Sequence, residues 1–387
     1  MTALRIGMFV DMYLPHVSGV TNHISLYKRH FEQLGHEVFV FTFGDQDHID
    51  TEPNVIRSPG MPWGRTGWRF APALSAPARE LVPTLDIAHA HHPFQSGRLL
   101  VPLCKRHGIP LVFTNHTRYD LYSDAYASLV PRSLRYAFLR WQLSHFDRAC
   151  DLVIAPAQSI ASWLEEFCGF ADAVTIPNGI DVQRFSNPEH PVSREELGFA
   201  HDDVVFCYAG RLGPEKNTEW LAREFVMAAH RSPRARLLVV GDGPSRMAAS
   251  AVIDQAGLTE RAVFTGMQSY DRIPALEAAA DVFVTGSVSE VHPLVVLEAM
   301  AAGLPVVAVS SPGIADTVRD GSTGLLAPTA TDGALADRMV ALATDDAALA
   351  SMAQHARAAS MAFGFDQTAD VVLQHYQRLV SSRKHTR

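Results

Sequence analysis

Two acidic residues stand eight positions apart in SEVHPLVVLE, residues 289–298. The apolar run DVFVT (281–285) precedes this stretch, and AMAAGLPVVA (299–308) follows it. The order predicts a strand, a loop, a helix and a second strand, which together form one βαβ unit of a parallel sheet. Because an α-helix has about 3.6 residues per turn, we expect Glu290 and Glu298 on nearly the same face.

The predicted helix start and the two carboxylates suit one kind of ligand. Free N–H groups at a helix N-terminus bind phosphate, and carboxylates accept hydrogen bonds from hydroxyl groups. We therefore predict a site for a molecule with an anionic part and several hydroxyls, a description that a nucleotide sugar fits.

The same rhythm of apolar runs and helical patterns covers both halves of the 387-residue chain. It predicts strands at 4–10, 36–43, 86–90, 111–114, 152–155, 204–209, 235–240, 262–264, 282–285 and 305–309. Turn residues in IPNGID (176–181) separate the halves. The predicted fold is α/β, with two doubly wound Rossmann-like domains facing across a cleft. Their ranges are 1–180, with the last helix (about 366–387) crossing back to it, and 181–365.

Composition argues against several classes of protein. The net charge of −8 disfavours nucleic-acid binding. Four scattered cysteines without a C-x-x-C pair predict neither a disulfide framework nor a zinc site, and they suit a reducing cytoplasm. We expect no signal peptide and no membrane-spanning helix. Residues 53–150 nevertheless carry twelve basic and five acidic side chains, a local net charge of +7 that indicates contact with something anionic.

The turn AGRLGPEKN (209–217) follows the first strand of the second half. Gly210 allows the backbone to approach a ligand closely, and Arg211 and Lys216 offer the charges that a diphosphate needs. The alternative is a solvated turn with surface cations. The nearby glutamates favour phosphate binding.

Two further turns contain glycine, and each has a ligand-binding and a structural interpretation. Gly19 and Val20, in VSGVT (17–21), open the first predicted helix, where N–H groups can meet phosphate; a plain strand-to-helix turn is the alternative. GDGP (241–244) has Arg246 where a dinucleotide fingerprint has its third glycine, so we interpret it as structural.

Histidines end two predicted strands of the first half. In DIAHAHHPF (86–94), His89 and His91 point the same way, but no carboxylate or cysteine partner is apparent nearby, so we expect no metal and a polar cleft lining instead. His116, in FTNHT (113–117), is expected at the mouth of the cleft.

Together these motifs resemble those of the retaining glycosyltransferases of family 4, which have the GT-B fold. The resemblance covers nearly the whole chain. It rests on the E-x7-E pair, the R-x4-K turn, PNGID (177–181) and the N-terminal glycine loop.

The resemblance implies a role for each matching residue. Glu298 would bind the ribose, Glu290 the sugar hydroxyls, and Arg211 and Lys216 the diphosphate. His116 would lie near the donor sugar and phosphate. The other implied donor contacts are Gly19, Val20, Gly210, Gly266, Met267 and the N–H groups of Leu294 and Val295. Pro293 departs from the family pattern, since it has no N–H to give.

The implied reaction retains the anomeric configuration. His116, Glu290, Arg211 and Lys216 are the predicted catalytic residues. The sugar–phosphate bond loosens, and the acceptor hydroxyl attacks from the same face while the leaving phosphate takes its proton. A nucleotide-diphosphate sugar is the co-substrate, and no tightly bound cofactor is expected.

Within the family, H-x-H-H-P-F and N-H-T-x-Y-D-x-Y look most like bacterial diacylglycerol glycosyltransferases, which dock on membranes. We therefore expect a lipid acceptor and a peripheral position on the inner face of the plasma membrane. The candidate acceptor and membrane residues are His91, His92, Tyr119, Trp68, Arg69, Arg132, Arg135 and Arg140. The alternative is that the aromatic residues of 61–70 and 131–150 pack on the sheet.

Several alternatives stay open. The resemblance favours UDP-glucose, but GDP-mannose or UDP-N-acetylglucosamine fits the same residues. A small soluble molecule with a hydroxyl group could be the acceptor. A sugar-nucleotide epimerase or a non-catalytic binding module could also use this fold.

Overall fold

The computed structural model describes residues 3–44, 48–62, 69–127 and 129–384. These residues form two units. Unit 1 comprises the described residues up to Gly179 together with those from Phe365 onward, and unit 2 is Ile180–Gly364. The predicted boundaries at 180/181 and 365/366 lie one residue beyond the observed ones.

Unit 1 contains nine strands in its described residues. They are β1 (Arg5–Phe9), β2 (Glu37–Phe43), β3 (Val55–Ser58), β4 (Met61–Pro62), β5 (Arg69–Phe70), β6 (Ile87–Ala90), β7 (Leu111–Thr114), β8 (Leu152–Ala155) and β9 (Val174–Thr175). Seven of them form a parallel sheet in the order β3-β2-β1-β6-β7-β8-β9, while β4 and β5 form a separate antiparallel pair.

Seven α-helices belong to the described part of unit 1. They are α1 (Gly19–Gln33), α2 (Ala76–Leu81), α3 (Gln95–His107), α4 (Tyr119–Tyr126), α5 (Arg132–Asp147), α6 (Gln158–Cys168) and the C-terminal helix, numbered α15 (Phe365–Lys384). The start of α1 is fixed by a capping box, in which Ser18 and Thr21 each accept the other's backbone N–H.

The C-terminal helix α15 packs on α1. The Tyr27 hydroxyl donates to Thr368 Oγ1 at 2.9 Å, and the rings of Phe31 and Tyr376 meet at 5.8 Å between centroids. Tyr27, Phe31 and Tyr376 are fully buried, so α15 completes the core on this side of the sheet.

Unit 2 has six parallel strands in the order β12-β11-β10-β13-β14-β15. Their bounds are β10 (Val204–Ala209), β11 (Ala235–Val240), β12 (Ala262–Gly266), β13 (Val282–Thr285), β14 (Val306–Val309) and β15 (Gly324–Ala327). Its α-helices are α7 (Val182–Ser186), α8 (Thr218–Arg231), α9 (Arg246–Gln255), α10 (Ile273–Glu277), α11 (Leu294–Ala302), α12 (Pro312–Ala315), α13 (Ala334–Thr344) and α14 (Asp346–Ser360).

The strands of unit 2 are buried on both faces, which explains their continuous apolar sequences. In β10, Phe206 and Tyr208 point into one core, and Val205 and Cys207 into the core on the opposite face. Every strand that the sequence predicts is present, which confirms two parallel Rossmann-like sheets. Across 3–44, 48–62, 69–127 and 129–384, no helix has both the length and the apolar content to cross a membrane.

Both parallel sheets share one winding. Counted along the chain within each sheet, the order begins 3-2-1-4-5-6 in both units. The order reverses between the first and fourth strands of each sheet, and ligands of such sheets bind outside the carboxyl ends of the strands at this switch point. The switch point lies between β1 and β6 in unit 1 and between β10 and β13 in unit 2.

Candidate functional site

The switch point of unit 2 brings together the R-x4-K turn and Glu290. The turn follows β10, Glu290 follows β13, and these strands are hydrogen-bonded neighbours. Lys216 Nζ donates to Glu290 Oε1 at 2.7 Å, although the two residues are 74 positions apart in sequence. The Glu290 side chain is 13% exposed and the Lys216 side chain 29%. A partly buried ion pair therefore occupies the position at which this fold binds ligands.

The ionisation of Glu290 depends on Lys216. Burial alone would raise the pKa of this carboxyl group, but the charge and hydrogen bond of the Lys216 ammonium, together with a smaller contribution from the Ser287 hydroxyl, more than offset that effect. The pKa of Glu290 consequently lies below its ordinary value, and the carboxylate is charged at neutral pH.

Arg211 also has an acidic partner, which the sequence analysis missed. Its guanidinium forms a short ion pair with Glu215, whose side chain is 8% exposed against 46% for Arg211. The Tyr208 hydroxyl, from the end of β10, donates to the Arg211 carbonyl at 2.9 Å and so holds the turn in place. The four-residue spacing of Arg211 and Glu215 was the available signal for this pair.

Gly210 serves the packing of two neighbouring loops. Its φ is +143°, and a Cβ on Gly241 would lie 2.0 Å from the Gly210 carbonyl oxygen. A Cβ on Gly243 would lie 2.4 Å from the Leu212 carbonyl oxygen. The loops after β10 and β11 thus pack backbone against backbone, which supports the structural interpretation of 241–244.

The two acids of the E-x7-E pair occupy different environments, and helical spacing does not fix their relative orientation, because only one of them is in the helix. Helix α11 begins at Leu294, so Glu290 lies in the preceding loop and only Glu298 is helical. Pro293 caps the helix with extended backbone, and the residue before a proline is also biased away from helix. The helix therefore starts four residues after Glu290.

Glu298 is almost fully buried and accepts a 2.6 Å hydrogen bond from the Tyr270 hydroxyl. Its burial raises its pKa to about 7, an effect that the Tyr270 bond and the Arg184 charge partly offset. Beside it, Glu277 is fully buried and both of its carboxyl oxygens lack a hydrogen-bond partner among the described residues. Burial first, and then the charge of Glu298, raises the pKa of Glu277 well above its ordinary value.

Helix α11 directs its first N–H groups out of the helix. Val296 and Leu297 N–H both donate to the Pro293 carbonyl, at 3.1 and 3.3 Å. Leu294 and Val295 belong to the first turn, whose N–H groups have no acceptor within the helix. The two residues predicted from the family pattern are thus placed to donate to an anion.

Gly266 and Met267 lie where β12 ends. Gly266 has a left-handed backbone, with φ of +71°, and its carbonyl accepts the Gly241 N–H at 3.0 Å. The Met267 side chain is 73% exposed. In unit 1, Gly19 and Val20 form the first turn of α1, directly after the Ser18 cap.

Several histidines of unit 1 lie at its switch point; His23, His91 and His92 are buried, and His116 is partly buried. His91 directly follows β6, and its Nδ1 is 3.0 Å from His116 Nε2, which lies just beyond β7. His92 Nδ1 accepts the backbone N–H of Asp11 at 3.2 Å. His23, on α1, joins His91 and His116, and one ring nitrogen of each lies within 4.8 Å of the others. The third imidazole comes from α1, a helix that the sequence analysis did not connect with these histidines.

The membrane candidates divide into exposed and paired residues. Arg135 forms a 2.8 Å ion pair with Asp124 and is 11% exposed, whereas Arg132 is 69% exposed. Arg140 is exposed and lies over the Phe167 ring at 5.2 Å. Arg69, on β5, donates to the Gly60 carbonyl at 3.2 Å. Trp68 lies outside the described residues. Tyr119 begins α4 and is buried.

Helix α5 exposes an apolar stripe. Leu134, Phe138 and Trp141 are 62%, 52% and 51% exposed, and their spacing of four and three residues places them on one helix face. Leu143 and Phe146 are buried instead and hold the opposite face against the unit. The interpretation that all aromatic residues of 131–150 pack on the sheet is therefore wrong for this stripe.

Comparison with known proteins agrees with this geometry. The family described as "Glycosyltransferase Family 4" matches residues 17–184, and "Glycosyl transferases group 1" matches residues 189–359. The chain is 30% identical to the alpha-monoglucosyldiacylglycerol synthase of Streptococcus pneumoniae, over 84% of this chain and 75% of that protein. It is also 30% identical to the D-inositol 3-phosphate glycosyltransferase of Nocardia farcinica, over 89% of this chain and 81% of that protein.

Solved structures show the same fold. Anabaena HepE, in a complex with UDP and glucose, matches with a TM-score of 0.78 and 22% identity, over 97% of this chain and 100% of that one. These matches show that the chain belongs to glycosyltransferase family 4, a family of sugar-transferring enzymes with the GT-B fold.

Proposed function

We propose that this glycosyltransferase moves glucose from UDP-glucose to the free hydroxyl of diacylglycerol, with retention of the anomeric configuration. The observation that carries the proposal is the 2.7 Å contact between Lys216 and Glu290 at the switch point of unit 2. In a nucleotide sugar, the hexose ring is bonded directly to the diphosphate. A cation and a carboxylate side by side therefore match a phosphate oxygen and a hydroxyl of the adjoining ring.

The proposed chemistry depends on the leaving group. The bond between the sugar C1 and the β-phosphate oxygen breaks, and negative charge accumulates on UDP. Lys216, Arg211 and the N–H groups of Leu294 and Val295 would stabilise this charge. Fixed donors aimed at developing charge lower a barrier because they need little reorganisation during the reaction. A bond forms between C1 and the acceptor oxygen on the same face, and the acceptor proton passes to the leaving phosphate.

The two glutamates would orient the donor. Glu290, charged because of Lys216, would accept hydrogen bonds from the sugar hydroxyls. Glu298 would accept bonds from the ribose hydroxyls, and Gly266 and Met267 would border the base. The role of His116 near the donor sugar rests on the family resemblance. The transfer would require no tightly bound cofactor beyond its co-substrate.

Support for a lipid acceptor comes from the stripe on α5. Three large apolar side chains that are half exposed or more are unusual on a helix in water, and such patches mark contacts with proteins or membranes. Arg132 and Arg140 flank the stripe, and each basic residue near an anionic surface contributes about 1 kcal/mol. The β4–β5 pair adds Met61 and Phe70, which are paired in register and 65% and 51% exposed.

The relatives point to the same class of acceptor. The name of the Streptococcus pneumoniae protein describes it as an alpha-monoglucosyldiacylglycerol synthase. We infer that this chain, too, acts at the membrane surface as a peripheral protein on its cytoplasmic face, where an acceptor buried in the bilayer presents its hydroxyl.

The direct test supplies one donor at a time to vesicles that contain diacylglycerol and anionic phospholipid. We expect glucolipid from UDP-glucose, with an α-anomeric proton in the NMR spectrum of the product, and little product from GDP-mannose or UDP-N-acetylglucosamine. A β-linked product would contradict retention. Conversion of UDP-glucose to another UDP-hexose without acceptor would reveal an epimerase.

A soluble acceptor is the second candidate, favoured by the relative from Nocardia farcinica, whose name gives D-inositol 3-phosphate as the acceptor. The two candidates separate in one experiment, in which the enzyme receives diacylglycerol vesicles or D-inositol 3-phosphate in vesicle-free buffer. Turnover only in the second arm would overturn the lipid proposal and leave the donor assignment intact.

A further inference from the structure

Two carboxyl groups are buried on neighbouring helices of unit 2. Glu298 lies on α11 and Glu277 on α10, and these helices pack against each other. Glu298 is 2% exposed, and Glu277 is fully buried. Two negative charges close together in a protein interior repel each other and lack the solvation of water, so one of two such groups keeps its proton. When Glu298 is ionised, Glu277 therefore stays neutral.

The two carboxyl groups differ in their hydrogen-bond partners. The Tyr270 hydroxyl donates to Glu298 Oε1 at 2.6 Å, whereas both oxygens of Glu277 are buried without a partner among the described residues. A hydrogen bond to an ionised acceptor is about twice as strong as one to a neutral acceptor, so Tyr270 favours the charged form of Glu298. The negative charge of the pair consequently lies on Glu298 and the proton on Glu277.

Tyr270 is itself held in place by its neighbours. It begins the short 3₁₀ turn Tyr270–Arg272, which precedes α10. The Arg184 guanidinium, from α7, lies over the Tyr270 ring at 4.9 Å from the centroid, and it also forms an ion pair with Asp271. The Phe185 ring meets the Tyr270 ring edge-on at 6.1 Å between centroids. These contacts restrict the ring and so the direction in which its hydroxyl donates.

The other charged groups around α11 support this arrangement or lie elsewhere. Arg184, on α7, adds positive charge that also favours the ionised form of Glu298. Arg357, on α14, donates instead to the Ala302 carbonyl at the C-terminal end of α11. Strand β14 is apolar throughout. Burial, and then the charge of Glu298, raises the pKa of Tyr270 well above its ordinary value, so its hydroxyl remains a donor across the neutral range.

We propose that Tyr270, held by Arg184, is a positioning residue for the sugar donor: its hydroxyl orients Glu298 and keeps that carboxylate charged for the ribose hydroxyls, while Glu277 retains the proton of the pair. The inference rests on the role of Glu298 under the proposed function and extends it to a residue outside the E-x7-E and R-x4-K motifs. Because ribose is common to UDP and GDP sugars, it holds for either type of donor.

A pH dependence of nucleotide binding follows from this arrangement. Glu298 has a pKa of about 7 in the folded protein, so the carboxylate that accepts the ribose hydroxyls is lost as pH falls through neutrality. Affinity for a nucleotide is then highest above pH 8 and declines below pH 7. Loss of the Tyr270 hydroxyl raises the pKa of Glu298 further, which moves this decline to higher pH.

The test compares the wild type with Tyr270→Phe, which removes only the hydroxyl and keeps the ring beside Arg184 and Phe185. Calorimetric titrations of the full chain, without acceptor, measure Kd for UDP and for 2′,3′-dideoxy-UDP from pH 6 to pH 9. The ratio of the two proteins' Kd values at each pH cancels the titration of the ligand itself. We expect this ratio for UDP to be about 10 at pH 6, the effect of one pKa unit, and to fall towards unity at pH 9, where Glu298 is ionised in both proteins.

The dideoxy ligand makes the test specific to ribose. It has no ribose hydroxyl for Glu298 to accept, so we expect a ratio near unity at every pH. A ratio for UDP that does not change with pH, or an equal loss for 2′,3′-dideoxy-UDP, would reduce Tyr270 to a structural role and overturn the proposal.

Two further variants complete the experiment. Tyr126→Phe makes the same change at a tyrosine of unit 1 that is 45% exposed, and it should bind UDP as the wild type does. Arg184→Gln should shift the pH dependence in the same direction as Tyr270→Phe but less, because its charge acts on Glu298 more weakly than the hydrogen bond does. A shift in the opposite direction would contradict the role of Arg184. If the wild type bound no UDP at any pH, the donor assignment would fail and this inference with it, whereas UDP binding with the same profile in Tyr270→Phe would overturn this inference alone.

Discussion

The two units share a strand order but differ in the chemistry of their switch points. In unit 2 the switch point holds an ion pair between Lys216 and Glu290, with a second carboxylate, Glu298, on the following helix. In unit 1 the corresponding edge holds His91 and His116, which burial keeps neutral. The winding of the sheet thus determines where a ligand binds, and the side chains at the strand ends determine which ligand it is.

This difference suits a division of labour between the units. Fixed charge suits a diphosphate, whose negative charge increases as it leaves. Neutral, polar groups suit an uncharged hydroxyl acceptor. We propose, on this basis, that unit 2 binds the donor and unit 1 the acceptor.

The proposed difference between the two units would be wrong if the positive charge of Lys216 in unit 2 did not contribute to catalysis. We expect Lys216→Ala to lower kcat by about 100- to 1,000-fold, the usual cost of removing one donor that stabilises developing negative charge. Initial rates with UDP-glucose and diacylglycerol vesicles measure the effect. Arg223→Ala serves as the control, because Arg223 forms only an exposed ion pair with Glu219. Unchanged turnover in Lys216→Ala would remove this residue from the mechanism.

Glu298→Gln tests whether the buried carboxylate contributes charge as well as shape. Glutamine keeps an oxygen for the Tyr270 hydroxyl but cannot offer a charged acceptor to ribose. A hydrogen bond to a charged group contributes about 1.5–3 kcal/mol, so we expect the KM for UDP-glucose to rise roughly 10- to 100-fold. Glu260→Gln, at an exposed position, should leave KM unchanged. An unaltered KM in Glu298→Gln would mean that the ribose binds elsewhere.

We expect unit 1, and not unit 2, to contact the membrane, so matched substitutions in the two units should have different effects on membrane binding. Replacing both Phe138 and Trp141 by serine should reduce co-sedimentation with anionic vesicles by roughly 10-fold or more, since burial of one large apolar side chain contributes about 1.5–3 kcal/mol. Met247→Ser removes an exposed apolar side chain from unit 2, where Met247 is 85% exposed, and should have no effect. Equal losses in the two variants would show that the binding is non-specific.

Glu277 gives the smallest expected effect, on stability. Its pKa is raised in the folded protein, so above about pH 4.5 the folded state binds more protons than the unfolded state. Stability therefore falls as pH rises, and the loss continues until the folded-state pKa is passed. Glu277→Gln removes this loss, and we expect its Tm relative to wild type to increase by a few degrees from pH 5 to pH 8.

The control for this measurement is Glu219→Gln, which alters an exposed carboxylate of the same unit. Its Tm difference from the wild type should be nearly independent of pH. A pH-independent difference for Glu277→Gln as well would show that the buried carboxyl group has an ordinary pKa.

The sequence predicts the central strands because burial on both faces leaves a continuous apolar run, as in β10. It misses five strands for physical reasons. β4, β5 and β9 have only two residues each. β3 is only partly buried and contains Arg57, while β15 has four residues, the first of them a glycine. Short or half-buried strands do not differ enough from loops in composition.

Motif spacing predicts candidate residues for a donor site, but it does not predict the contacts among them. The contact between Lys216 and Glu290 depends on two strands being neighbours, and no local pattern encodes it. The hydrogen bond from Tyr270 to Glu298 likewise joins two distant parts of the sequence, and no local pattern predicts it. His23 did carry a signal, because it lies four and eight residues before Tyr27 and Phe31 and thus on the buried face of α1.

The position of α15 has a consequence for how the protein is made. A ribosome releases the chain from its N-terminus, so every strand of unit 2 emerges before Thr368 and Tyr376 do. Synthesis of unit 1 therefore starts before that of unit 2 and is completed after it. Until translation reaches α15, Tyr27 and Phe31 on α1 lack their contacts with Thr368 and Tyr376, and the nascent chain exposes apolar surface of the kind that promotes aggregation.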